Sequence, residues 1–134
     1  MNGKILLKTN LNIVLAIIAL LATSIFHTDA AWAGDALQAR KDLQKIGVEY
    51  TEQQFATSAG SGDMATVRLF LDAGIDVNAG DSAALGLAAG RGQLEVVKLL
   101  LANGAKPTAN ALQFARTRGY KEIETILVQA GAKE

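Results

Sequence analysis

The chain has 134 residues, 13 Lys and Arg against 13 Asp and Glu, no cysteine and a hydrophobic half. Those values exclude a collagen-like, a disulfide-stapled or a wholly disordered protein. The average conceals two segments: residues 1–33 are strongly apolar, whereas residues 34–134 have the composition of one small globular domain.

Met1–Asn10 carries Lys4 and Lys8 and no acid. Leu11–Phe26 is an apolar run interrupted only by Asn12, Thr23 and Ser24, and Ala31-Trp32-Ala33 puts small residues at both positions a signal peptidase reads. These are the three parts of a secretory leader, and they predict cleavage between Ala33 and Gly34. The competing reading is an uncleaved membrane anchor, yet a run of that length rises only about 24 Å as a helix, against a hydrocarbon core of about 30 Å. Export to a periplasmic or extracellular space is the expectation, with a membrane-anchored form only if residues 1–33 are retained.

The only histidine, His27, and the only tryptophan, Trp32, would leave with that leader. What remains has neither His nor Cys, so common zinc sites and Ser–His or Cys–His nucleophile pairs are excluded. Its near-zero net charge gives no electrostatic footprint for nucleic acid. No cofactor and no metal are expected.

Asp35–Ile46 follows as a predicted amphipathic helix, with Leu37, Ala39, Leu43 and Ile46 on one side and Gly47 to end it. With the linker to Tyr50 (residues 34–50) it is read as a cap on what comes next.

From Thr51 onward the chain repeats itself. Phe55, Leu85 and Leu112 recur at steps of 30 and 27, as do Gly62, Gly92 and Gly119, and Gly74, Gly104 and Gly131. Within each unit the first hydrophobe precedes the first glycine by 7 residues, and the second glycine follows 12 later; only the connectors vary. A fixed two-helix module with adjustable joints accounts for this, in units of about 51–80, 81–107 and 108–134. Thr51, with Gln54, reads as a capping box. Asp63, Ser82 and Thr108 are the further expected caps. Gly92 and Gly104 are placed to end helices in the left-handed conformation. In the second helix of the middle unit Leu94, Val97, Leu100 and Leu101 share a face that Glu95, Lys98 and Asn103 avoid.

Leu85-Gly86-Leu87-Ala88-Ala89, Gly92, Val96-Val97, Leu100-Leu101 and Gly104-Ala105 together resemble the ankyrin repeat, as does Gly74-Ile75-Asp76-Val77-Asn78-Ala79. The resemblance covers Thr51–Ala132. It implies an all-α helical solenoid that binds other proteins and does not catalyse. Two departures matter. The family's Thr-Pro-Leu-His start is here Gln53-Gln54-Phe55-Ala56, Ala83-Ala84-Leu85-Gly86 and Asn110-Ala111-Leu112-Gln113, and the units are shorter than about 33 residues. The β-hairpin fingers between units are therefore expected to be clipped or absent, shifting binding to the inner helices. The resemblance then points the residues before each first glycine into the concave groove, making Ser61, Arg91, Thr117 and Arg118 the candidate contacts. Arg91 and Arg118, one in each of two successive units, suit a carboxylate-bearing partner protein. The expected state is a monomer.

Weaker motifs resolve to structure. Gly60-Ser61-Gly62 and Gly90-Arg91-Gly92 begin like a dinucleotide fingerprint but lack its third glycine and follow predicted helices. Asp76-Val77-Asn78-Ala79-Gly80-Asp81 begins like a calcium loop, but its glycine is displaced by one position and its twelfth residue is Leu87. Glu95, Glu122 and Glu124 read as solvated helix exteriors, and Phe55, Phe70 and Phe114 as core.

Overall fold

The computed structural model describes residues 33–133. Contacts divide the chain at residue 35, and the second unit, residues 36–134, is the repeat domain with its leading helix. Among the described residues there are seven helices and no strand. Residues 33–45 form α1, followed by α2 (Glu52–Ser61), α3 (Met64–Asp72), α4 (Ala79–Gly90), α5 (Leu94–Ala102), α6 (Ala109–Arg118) and α7 (Lys121–Gln129). Helices of nine or ten residues are marginal alone, and here each hairpin packs on the next. Helices α2, α4 and α6 stack as one row and α3, α5 and α7 as a second, more loosely joined row. The close row is rich in Ala and Gly, so its backbones approach; the family resemblance makes this row the concave side.

Every hairpin closes with the same turn. Gly62, Gly92 and Gly119 have φ of 79°, 75° and 77°. The next residue in each case donates its N–H to a carbonyl five positions back: Asp63 to Ser58, Gln93 to Ala88 and Tyr120 to Ala115, at 2.9–3.1 Å. This satisfies the helix-end carbonyls, with glycine taking the left-handed position. The outer helices end alike, through Ile75 to Phe70, Ala105 to Leu100 and Ala132 to Leu127. The expected caps hold at Thr51, Asp63 and Thr108, whose side chains accept from Gln54, Thr66 and Ala111 N–H groups. The Thr51 N–H donates to the Glu49 carbonyl, so the reciprocal half of the capping box is not made by Gln54.

Further expectations are corrected. Ser82 does not cap α4. Gly80, Asp81 and Ser82 run left-handed in succession, and the Ser82 hydroxyl donates to Asn78 Oδ1 at 3.0 Å. That tight turn stands where a longer connector would have extended. In α1 only Ala39 and Leu43, one turn apart, are buried, while Leu37 and Ile46 are more than half exposed. Leu37 lies on the far side of the helix and Ile46 just past its end. Finally, Phe114 is 49% exposed rather than core. By unit alignment it is equivalent to Thr57 and Leu87, not to the buried Phe55, Leu85 and Leu112.

The core runs through all three units, with Phe55, Val67, Phe70, Leu85, Val97, Leu100, Leu112 and Leu127 at 2% exposure or less. Val96 is buried as well, beside the Leu94–Leu101 face, and Leu94 and Leu101 are half-buried. At the first end, the Arg40 guanidinium carbon lies 4.3 Å from the centre of the Tyr50 ring, which stacks on Phe70. Arg40 Nε and the Tyr50 hydroxyl both donate to the Ala73 carbonyl, at 3.3 and 3.2 Å. Two donors on the carbonyl that ends α3 offset the negative end of its dipole, so α1 is tied to the first repeat by charge as well as by Leu43.

Candidate functional site

Close packing of the inner row decides which side chains reach the concave surface. A side chain at Gly60 would meet Leu87 Cβ and Arg91 Cδ and Nη1 at 3.3 Å, and one at Gly90 would meet Phe114 Cβ at 3.4 Å. Each later unit thus lays a bulky inner residue over a glycine of the unit before it. Gly60 and Gly90 are buried beneath that cover, while Leu87 and Phe114 stay 37% and 49% exposed.

Of the sequence-predicted contacts, Ser61, Arg91 and Arg118 occupy the same position in successive units, the last before each turn glycine, and all are exposed. Thr117 precedes Arg118, where the other two units have Gly60 and Gly90. The Ser61 hydroxyl donates to the Ser58 carbonyl at 3.0 Å and the Thr117 hydroxyl to the Gln113 carbonyl at 2.8 Å, so both donors are taken up by their own helices. The arginines differ. Among the described residues neither Arg91 nor Arg118 has a carboxylate within ion-pair distance, whereas Lys45, Lys98, Arg116 and Lys121 each do. Of the cleavage residues, Ala31 lies outside the described residues, and Ala33 and Gly34 form the exposed start of α1.

Leu87 and Phe114 each precede their unit's arginine by four residues, one helical turn, and so share its helix face. Sequence reasoning found the arginines and missed these two. Aligning the units would have exposed them, since Thr57, Leu87 and Phe114 recur at steps of 30 and 27. Between α4 and α6 lies a cleft of about 240 Å³ whose lining includes Leu87, Phe114, Asn110, Thr108 and the Gly80–Ser82 turn. Its far end is marked by the exposed residue Asp81, at the opposite end of α4 from Arg91.

Asn78 braces that turn. Its Oδ1 accepts from the Ser82 hydroxyl at 3.0 Å and from the Lys106 N–H at 2.7 Å, and its Nδ2 donates to the Gly104 carbonyl at 3.2 Å. Asp76, in the segment that starts like a calcium loop, accepts from the Asn78 N–H at 2.9 Å, an ordinary Asx turn. One amide side chain therefore links two successive connectors.

Two further acids are held by their neighbours. The Thr66 hydroxyl at 2.7 Å, and then its N–H at 3.1 Å, hold the Asp63 carboxyl below the usual range. Glu124 is held low by Arg116 Nε at 2.8 Å and by Lys121 Nζ at 3.3 Å. Its side chain is only 21% exposed, which corrects the reading of Glu124 as a solvated exterior charge; Glu95 and Glu122 are exposed. Among the described residues no group of three or more His, Cys, Asp or Glu is placed to hold a metal, and no helix is long and apolar enough to cross a membrane.

Comparison with known families matches the ankyrin repeat model, in three copies, over residues 29–111 and 54–133. A comparison with curated proteins finds no match. Ankyrin repeats generally mediate protein–protein interaction and are typically non-catalytic. The turn glycines, the stacked hairpins and the matched span together cover most of this chain, which belongs to the ankyrin repeat family.

Proposed function

We propose that the protein is an exported, non-catalytic binding module that engages another protein through the concave face of its inner helices. Stacked repeats give a rigid surface whose exposed side chains vary without disturbing the core. The observation that carries the reading is the recurrence, in two successive units, of an exposed apolar residue followed one turn later by an arginine with no carboxylate beside it among the described residues: Leu87 with Arg91, and Phe114 with Arg118. Phe and Arg are enriched in interface cores and Arg at their energetic centres, while Leu87 extends the apolar surface beside them. Export rests on Lys4, Lys8, the apolar run to Phe26 and the Ala31-Trp32-Ala33 ending. Lack of His and Cys after the leader supports a role without catalysis.

Two measurements test this. Intact mass of the protein from its native host should begin at Gly34; a species retaining residues 1–33 and found only in membranes overturns export. Affinity capture from the exported fraction should recover a protein with the unaltered chain and lose it with Arg91→Ala/Arg118→Ala, while the melting temperature stays unchanged. Equal capture by both removes the concave face as the binding surface.

A further inference from the structure

The groove is chemically graded across its width and along its length. Across it, the arginines stand at the turn-glycine end, Leu87 and Phe114 form the floor, and Asp81 stands at the connector end. Along it, the first unit presents Gln53, Thr57 and Ser61, all uncharged and polar, at the positions where the next two units present Ala83, Leu87 and Arg91, and Asn110, Phe114 and Arg118. The exposed apolar and arginine side chains of this face are therefore concentrated on the second and third units. The two apolar–arginine pairs are separated by one repeat, about 10 Å at ordinary helix spacing. Seven residues of a helix rise about the same distance, about 10.5 Å, and return to nearly the same face.

We infer that the occupant of this groove is an amphipathic helical segment of a partner protein, with apolar side chains seven residues apart on Leu87 and Phe114 and carboxylates along the flank that faces Arg91 and Arg118. This rests on the concave face being the binding surface, and adds what binds there and which units hold it. Charge complementarity selects the acidic flank: both guanidinium groups lack a carboxylate partner within the described residues, and a partner carboxylate completes them in fork geometry. Asp81 at the opposite edge disfavours acids on the other flank, which fixes which side of the segment carries its carboxylates. An apolar floor selects buried Leu, Ile or Phe side chains at the helix spacing used by groove-bound helices.

The test is selection from a displayed library of random peptides on the immobilised protein, followed by binding of the enriched peptides to variants. Enrichment should favour acidic sequences with apolar residues at seven-residue spacing. Those peptides should gain helical circular dichroism on binding and weaken at higher salt. Arg91→Gln/Arg118→Gln and Phe114→Ala should each reduce affinity about tenfold or more, with melting temperature as the check on folding, while Gln53→Ala and Thr57→Ala leave binding unchanged. Enriched peptides that are basic, or that bind without regard to the arginines, overturn the inference; if they still depend on Phe114, the concave surface itself stands. Peptides indifferent to Leu87, Phe114 and both arginines overturn the surface as well. No enrichment overturns the inference.

Discussion

The edge of the Tyr120 ring lies against Gly92 so closely that a Cβ on the glycine would stand 2.8 Å from two ring carbons. Gln93 covers Gly62 in the same way one unit earlier. The equivalent residue of the first unit is Asp63, which covers no preceding turn glycine and instead caps its own helix. One position thus serves as a helix cap at the start of the stack and as the clasp between units thereafter.

This separates two demands on the turn glycines. Gly92 and Gly104 both have positive φ, but only at Gly92 is the space filled. Gly104→Ala should cost on the order of 1–2 kcal/mol, the left-handed strain alone. Gly92→Ala adds overpacking of about 1–3 kcal/mol. Urea melts of the two variants should differ by about 1 kcal/mol or more, and equal midpoints would show that the clasp is not tight.

Leu100 is fully buried in the central unit, with a repeat on either side. Leu100→Ala should cost about 2–5 kcal/mol. Lys98 is exposed on the same helix and pairs with Glu95 at 3.0 Å, so Lys98→Ala should stay within about 0.5 kcal/mol. Comparable losses in denaturant melts would mean the helix face is misassigned.

Much of this fold is legible in the sequence because repetition marks it: the turn glycines fall at fixed intervals, and a carboxyl or hydroxyl beside a helix start announces its cap. What escapes is whatever needs the units compared position by position or depends on packing between elements. Phe114 has the residue type of a core side chain, yet its place in the unit puts it on the concave surface. Ser82 looks like a cap but is turned left-handed by the short connector and the hold of Asn78. Leu37 is apolar and still faces away from the repeats. Arg40 and Tyr50 meet at the Ala73 carbonyl from distant points of the chain, which no local pattern announces. For the candidate site the same division holds: the arginines follow from unit alignment and the family resemblance, whereas their lack of partners follows from the packing.

The cap makes a prediction of its own. Leu43 is fully buried, and Arg40 and Tyr50 close the end of the first unit. Deleting residues 34–47 exposes that end, so the thermal midpoint should fall and the protein should associate on size-exclusion chromatography. An unchanged midpoint and a clean monomer would show that α1 is dispensable.

Asp63 supplies a pH signature. Its carboxyl is held below the usual 3.8 in the folded state by the Thr66 hydroxyl and N–H. A lowered folded value means that the stabilisation is present at neutral pH, above the unfolded value, and is lost as pH falls through the folded one. Asp63→Ala should cost about 0.5–2 kcal/mol near pH 7. The gap between variant and parent in urea midpoint should narrow as pH drops below 3.8. A gap independent of pH would mean the cap does not act through its charge.

Asp81 is exposed and left-handed, with φ of 56°. Replacing it with glycine relieves backbone strain of about 1–2 kcal/mol, partly offset by the entropy glycine loses on folding, about 0.5–1 kcal/mol. Asp81→Gly should raise stability by a net amount of up to about 1 kcal/mol, since Asp tolerates this conformation better than most residues, read from thermal or urea midpoints. A loss of stability would show that the turn is not strained.

The most direct measurement of the proposed role is hydrogen exchange on the protein with its captured partner bound. Exchange should slow in residues 80–91 and 108–118, which carry the Leu87–Arg91 and Phe114–Arg118 pairs, and remain unchanged in the outer helices α3, α5 and α7. Slowing confined to the outer helices, with the inner segments unaffected, would contradict binding through the concave face.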